Sequence, residues 1–323
     1  MMNPGINVET LLSPEMADAL DQERKLSDEV DVSALDKVTA RRTQYNHGRH
    51  WWNQGGPVMQ ETRNFTVLNG THEIPCRLHI PDGGDGLSPV IVFCHGGGWV
   101  VGGLDTHDRI MRELAIRTGC RVLGVDYRLA PEHRFPAPHQ DAMAVLNYII
   151  DSGPSLGLDS RRIAFAGDSA GAHMCLWTAQ QLRDQGRIDR LRGLALVYGS
   201  YGMVDSTSRR IYGGGESGLS AEDMRFYISS LMGPDQTPVS SGFDLLRQSL
   251  EDLPPSLVMA CELDPLRDDS IVLNTLLKQA GVSSKLDVVD GVLHGYLHFG
   301  EMVTESRESL QRCADFLSPL LKA

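Results

Sequence analysis

Apolar residues gather in short, spaced runs from residue 63 onward and form no such runs before it. Phe65 to Leu68, His72 to Ile80, Val90 to Cys94, Arg121 to Asp126, Arg162 to Ala166, Leu194 to Tyr198, Ser256 to Cys261 and Lys285 to Val289 read as eight strands. Helical stretches fall between most of the later ones, among them Asp105 to Arg117 and Ala172 to Leu182. Strand–helix alternation implies a mostly parallel sheet covered on both faces. Asn69-Gly70 joins the first two runs as a hairpin signal, so the sheet is expected to start antiparallel.

Two segments depart from this rhythm. Pro14 to Lys25 and Ala34 to Trp52 are polar and helix-like, and Ser13-Pro14 has the form of a helix start, with an N-cap serine and proline in the first turn. Met203 to Leu253 separates two strands by about fifty residues, too long for a plain crossover, and should hold its own helices, for example Ser220 to Leu231. It follows the sixth strand, so it should lie over the carboxyl ends of the strands, where open α/β sheets bind ligands. The expected organisation is cap helices over 1–56, a catalytic core over 57–202 and 254–323, and a cap insertion over 203–253. Gly213-Gly214-Gly215 lacks a preceding strand and a following Lys-Ser/Thr, so it reads as a mobile loop rather than a phosphate cradle.

Composition narrows the classes. A net charge of −12 disfavours nucleic acid and anionic membranes as partners. No apolar run has the length of a membrane span, and Met1 to Thr10 has neither the basic nor the apolar region of a signal peptide. The six cysteines are scattered without a C-x-x-C pair, which reads as reduced core thiols of a cytoplasmic protein.

The chemistry is carried by two glycine-framed motifs. Gly167-Asp168-Ser169-Ala170-Gly171 follows a strand and opens a helix, as a G-x-S-x-G nucleophile elbow does. His95-Gly96-Gly97-Gly98 follows Val90 to Cys94 and fits the H-G-G-G pattern that turns backbone donors toward an oxyanion. A serine nucleophile needs a base, and the base needs a carboxylate, in the chain order Ser, Asp/Glu, His. Of the histidines beyond the elbow helix, His294 sits in a turn-rich stretch past the last strand, whereas His298 is flanked by apolar residues; His294 is the better base. Asp264 stands at the turn after Ser256 to Cys261 and is the preferred carboxylate, with Glu262, Asp268 and Asp269 as alternatives; the last two suit the first turn of the next helix. Asp126 and Glu132 precede Ser169 and are excluded by chain order.

His95-Gly96-Gly97-Gly98-Trp99, Asp126 to Glu132, Gly167 to Gly171, Asp264 to Asp268 and His294-Gly295, in that order, resemble the hormone-sensitive-lipase-like carboxylesterases. Leu104 to Arg112 and Val292 to Phe299 are similar to the enterobacterial acetyl esterases within that group. The resemblance implies an α/β-hydrolase fold with an eight-stranded sheet and a helical cap. It implies Ser169 as nucleophile, Asp264 as orienter, His294 as base and an oxyanion hole from the N–H groups of Gly97, Gly98 and Ala170. His95 would brace the glycine loop, and Trp99 and Asp168 are the candidate substrate-binding residues. The expected activity is cofactor-free and metal-free hydrolysis of small, short-acyl esters (acetyl to butyryl) through an acyl-enzyme. A homodimer is left open. An amidase, a thioesterase or a non-catalytic binding protein on the same scaffold is the rival reading.

Overall fold

The eight apolar runs become one sheet, seen in a computed structural model that describes residues 7–83, 86–215, 218–234, 237 and 242–322. The strands are β1 (Glu61–Asn69), β2 (His72–Ile80), β3 (Ser88–Cys94), β4 (Arg121–Val125), β5 (Leu158–Asp168), β6 (Leu191–Val197), β7 (Ser256–Cys261) and β8 (Ser284–Val289). Their spatial order is β1-β2-β4-β3-β5-β6-β7-β8. β1 and β2 pair antiparallel across the Asn69–His72 turn, β2 pairs antiparallel with β4, and every later pair is parallel. This is the mixed, mostly parallel α/β sheet that the alternation implied. The first and fifth strands run several residues beyond their apolar runs, because polar residues continue the ladder once its register is set.

The helices are α1 (Pro14–Asp28), α2 (Lys37–Trp52), α3 (Asp108–Thr118), α4 (Ala137–Ser152), α5 (Ala170–Asp184), α6 (Thr207–Tyr212), α7 (Ala221–Met232), α8 (Arg267–Gln279) and α9 (Thr304–Lys322). Ser13 Oγ accepts the Met16 N–H at the start of α1, and Ser220 closes a capping box with Asp223 at the start of α7. Two apolar layers cover the two faces of the sheet. One includes Val90, Val92, Phe165 and Leu196 and packs against α4 and α5; the other includes Ile91, Phe93, Ala164 and Met259 and packs against α3 and α9. β3, β5, β6 and β7 are buried over most of their length. Alternate residues of each central strand therefore feed opposite layers, which explains their continuous apolar runs.

α2 and α7 meet across a cavity at the carboxyl ends of the central strands. Arg41 donates to Asp223 at 2.6 Å and lies over the Phe226 ring, and Lys37 reaches Glu222 at 3.1 Å. Arg42 anchors α2 to the layer below. It donates to both Glu132 oxygens and to the carbonyls of Val100 and Ala130, all within 2.9 Å. Exposed pairs such as Lys37–Glu222 contribute at most about 1 kcal/mol each, so the bidentate Arg42 clamp is the stronger tie. Gly213 to Gly215 form a turn after α6. Residues 1–6 of the N-terminal stretch, and 216, 217, 235, 236 and 238–241 of the 203–253 stretch, lie outside the described residues.

Candidate active site

β5 ends at Asp168 and α5 begins at Ala170, so Ser169 alone makes the turn from strand to helix. Its backbone sits at φ 53° and ψ −117°, a conformation that costs a residue with a Cβ on the order of 1–3 kcal/mol. The surrounding structure enforces it. The Ser169 N–H donates to the Val197 carbonyl of β6 at 2.9 Å, and the Ser169 carbonyl accepts the His173 N–H at 3.3 Å. A Cβ on Gly171 would run into the Cys94 carbonyl at the end of β3, so glycine lets the elbow pack directly on the neighbouring strand.

His294 reaches the serine from the segment after β8, and Asp264 reaches His294 from the turn after β7. Ser169 Oγ lies 2.9 Å from His294 Nε2, and His294 Nδ1 lies 2.8 Å from Asp264 Oδ2. Asp264 is fully buried, and its other oxygen accepts the Leu266 N–H at 2.8 Å. A carboxylate oxygen that faces Nδ1 makes that nitrogen the donor, which leaves the Nε2 lone pair for the serine hydroxyl.

The glycine loop is held from beneath. Gly97 accepts the N–H groups of Val100 and Val101 at 3.1 and 3.0 Å, a tight turn with Gly97 at φ 117°. His95 Nδ1 donates to the Gly96 carbonyl at 2.7 Å, and the His95 ring stacks on Tyr127 at 4.1 Å. Burial, with His107 beside it, pushes His95 down to about 3, so it is neutral and this bond has one direction. Gly97, Gly98 and Ala170 all line the cavity with Ser169. Among the described residues none of their three N–H groups is spent on a hydrogen bond.

Asp168 lies under this loop. Its Oδ1 accepts the Gly96 N–H at 2.8 Å and lies 3.3 Å from His107 Nε2, and its Oδ2 accepts the Tyr198 hydroxyl at 3.3 Å. Burial pushes the Asp168 carboxyl up, but His107 and the Gly96 N–H outweigh it and hold it below the ordinary carboxylate range. Trp99 also borders the cavity, at φ 61°, with its ring against His173 and Phe243. The cavity holds about 950 Å³. His107, Asp168 and His298 bring ligand atoms within 4.8 Å of one another. Hydrogen bonds account for these groups, since His107 Nδ1 also faces the Thr106 hydroxyl at 2.9 Å and His298 Nε2 the Tyr45 hydroxyl at 3.3 Å.

The alternative carboxylates are engaged elsewhere. Glu262 accepts the Gly291 N–H, and Glu132 holds Arg42. Asp268 and Asp269 do sit in the first turn of α8, and their oxygens are bonded to the segment that follows β6. Asp268 accepts the Ser208 N–H, while Asp269 accepts the Tyr201 N–H and pairs with Arg209 at 2.6 Å. Sequence reasoning passed over Tyr198, His107 and Arg42 as supports of the site. His107 lies within the Leu104 to Arg112 resemblance, and Tyr198 opens a further similar stretch, Tyr198 to Arg210; Arg42 carries no such signal.

A strained serine between strand and helix, bonded to a histidine and a buried carboxylate that follow it in chain order, defines an α/β-hydrolase. A family profile described as alpha/beta hydrolase fold matches residues 91–298, and the chain belongs to that family, in its hormone-sensitive-lipase-like branch, as a carboxylic ester hydrolase. It is 37% identical over 287 residues to an acetyl esterase of Salmonella choleraesuis, with 88% of each chain covered. It superposes on a hyperthermophilic esterase from the archaeon Pyrobaculum calidifontis with a TM-score of 0.88 at 30% identity, over 97% of this chain and 100% of that one. A thermostable carboxylesterase cloned from a metagenomic library matches with a TM-score of 0.85 at 29% identity, over 91% of this chain and 100% of that one. The six cysteines are free and buried, and no helix among the described residues is long and apolar enough to cross a membrane.

Proposed function

We propose that this chain hydrolyses short-acyl esters, acetate to butyrate, by two-step acyl transfer on Ser169. The observation that carries the reading is the unbroken line Ser169 Oγ, His294 Nε2, His294 Nδ1, Asp264 Oδ2, with each contact at 2.8–2.9 Å and with Ser169 and His294 on the wall of one cavity. His294 takes the hydroxyl proton as Ser169 forms a bond to the ester carbonyl carbon. Asp264 stabilises the imidazolium, and the N–H groups of Gly97, Gly98 and Ala170 receive the oxyanion. His294 then returns the proton to the departing alcohol. Water repeats the cycle on the acyl-enzyme and frees the carboxylic acid. Three donors aimed at a developing charge are each worth about 3 kcal/mol of transition-state stabilisation.

Short-acyl preference rests on local shape and on the acetyl esterase relatives, not on total volume. A cavity of about 950 Å³ exceeds what a butyryl group fills. Trp99 and Phe243, packed edge to face at 5.2 Å, line the same cavity as Ser169 and form the proposed acyl wall. The wider space under α2 and α7 is then left to the alcohol. Residues 1–56 and 203–253 act as the cap over a catalytic core of 57–202 and 254–323. The contacts of Arg41, Arg42 and Lys37 support that division. In this reading Asp168 serves the substrate indirectly, by fixing Gly96, while Trp99 touches it. The test is kcat/KM for p-nitrophenyl esters from acetate to decanoate. It should peak between acetate and butyrate and fall beyond; a profile still rising at octanoate refutes the short-acyl claim while leaving the catalytic residues standing.

A further inference from the structure

Two histidines buried beside Trp99 take no part in the mechanism above. His139 lies on α4 and His173 on the first turn of α5, and both are fully buried. His173 Nε2 is 2.9 Å from the carbonyl of Phe243, and His139 Nε2 is 3.0 Å from His173 Nδ1. A carbonyl only accepts, so His173 carries its proton on Nε2. Its Nδ1 is then a lone pair that must accept, and His139 Nε2–H is the donor facing it. His139 Nδ1 is left as a bare lone pair, with no hydrogen-bond partner among the described residues, near the rings of Phe135, Trp177 and Trp99. The chain therefore runs in one direction, from His139 through His173 to the Phe243 carbonyl, with both rings neutral. Burial pushes His173 down to about 3 and His139 well below its ordinary value, in agreement with that geometry.

The end of this chain is the acyl wall. The Phe243 ring stacks on His173 at 4.1 Å and 22°, and meets Trp99 at 5.2 Å. Phe243 and Trp99 both line the cavity that contains Ser169. Phe243 comes from the long segment between β6 and β7 rather than from a sheet strand, so no strand ladder fixes it. Apolar packing alone would let this ring slide outward for a longer acyl chain. A hydrogen bond to its own carbonyl does not.

We propose that His173, held in register by His139, is a positioning residue that pins Phe243 against Trp99 and thereby sets the upper limit on acyl length. This rests on the short-acyl reading of the same site. Releasing the pin lets Phe243 recede and admits further methylenes, each worth about fourfold in kcat/KM when buried. The experiment is kcat/KM for p-nitrophenyl acetate, butyrate, hexanoate and octanoate with wild type, His173→Gln, His173→Leu and His139→Leu. In His173→Leu the octanoate-to-acetate ratio should rise about tenfold or more, through a lower KM for octanoate, with kcat for acetate within about threefold of wild type. His173→Gln places an amide donor where Nε2 stood and should keep the wild-type ratio. His139→Leu leaves His173 Nδ1 without a donor and should move the ratio in the same direction as His173→Leu; it decides the matter should His173→Leu not fold. Ratios within twofold of wild type in the folded leucine variants overturn the proposal, as does a glutamine variant that shifts as far as the leucine one. A wild-type profile that itself climbs to octanoate defeats the short-acyl reading, whereas the pin is judged by the variant-to-wild-type ratios.

Discussion

Asp264→Asn separates a carboxylate that orients His294 from one that merely sits near it, and the Leu266 N–H fixes how the new amide must lie. In the native site Oδ1 accepts that N–H at 2.8 Å while Oδ2 faces His294 Nδ1 at 2.8 Å. An asparagine keeps both bonds only with its carbonyl on Leu266 and its NH2 on His294. That arrangement forces a lone pair onto Nδ1 and the proton onto Nε2, so the imidazole can no longer take the Ser169 proton. The flipped amide would restore the working tautomer but sets NH2 against N–H in a fully buried pocket, leaving two donors unmet. At about 1–3 kcal/mol for each, the inactive form is favoured by about 2–6 kcal/mol, or roughly thirty- to twenty-five-thousand-fold. Loss of the charge that stabilises the imidazolium adds to this, so kcat for p-nitrophenyl butyrate should fall about 10⁴-fold. Asp268→Asn, whose carboxylate accepts the Ser208 N–H, should stay within about fivefold of wild type. An Asp264→Asn enzyme within tenfold of wild type refutes this reasoning, and a larger loss in Asp268→Asn at equal Tm means that the wrong carboxylate has been assigned.

Two further outcomes follow from the same structure. Gly97→Ala should lower kcat about a hundredfold or more with a smaller change in KM, because φ 117° and the Val101 carbonyl leave no room for a Cβ and the loop must move its donors; steady-state kinetics that show only a KM effect would count against an oxyanion role. Acid should destabilise the fold between pH 6.5 and 4.5. His95 and His173 are pushed down to about 3 by burial, and His139 and His298 well below their ordinary value, so the unfolded chain binds more protons than the native one across that window and stability drops as pH falls. Each such histidine contributes about 1.4 kcal/mol per pH unit there. Asp269, raised to about 6 by burial, opposes them with a single proton. A Tm that is flat from pH 7 to 4.5 would contradict this balance.

The parts of the site legible in the sequence are those whose chemistry is local in the chain. An elbow needs glycines at fixed offsets from Ser169, and an oxyanion loop needs a glycine run straight after a strand, so both can be placed from the sequence. Asp264 and His294 were legible because chain order and strand ends narrow the choice to a few residues. Asp268 and Asp269 read as helix residues, but their bonds to Ser208, Tyr201 and Arg209 join positions about sixty residues apart and leave no periodic trace. The same holds for Arg42 on Glu132, ninety residues away, and for the His139–His173 pair. Helix α4 escaped reading because prolines crowd its start, at Pro136 and Pro138, and because Asp141 and His139 are buried on it as partners of Arg128 and His173 rather than facing solvent. Its polar positions therefore do not mark an outer face.

The central claim is that Ser169 is the nucleophile, and covalent labelling tests it most directly. A fluorophosphonate should react once per chain, on the peptide that carries Ser169, with activity lost in proportion to the adduct found by peptide mass mapping. Ser169→Ala should neither label nor turn over an ester, with kcat reduced by about 10⁶. An adduct on another residue, or an unlabelled Ser169→Ala that still hydrolyses p-nitrophenyl acetate at a rate near wild type, would contradict the account.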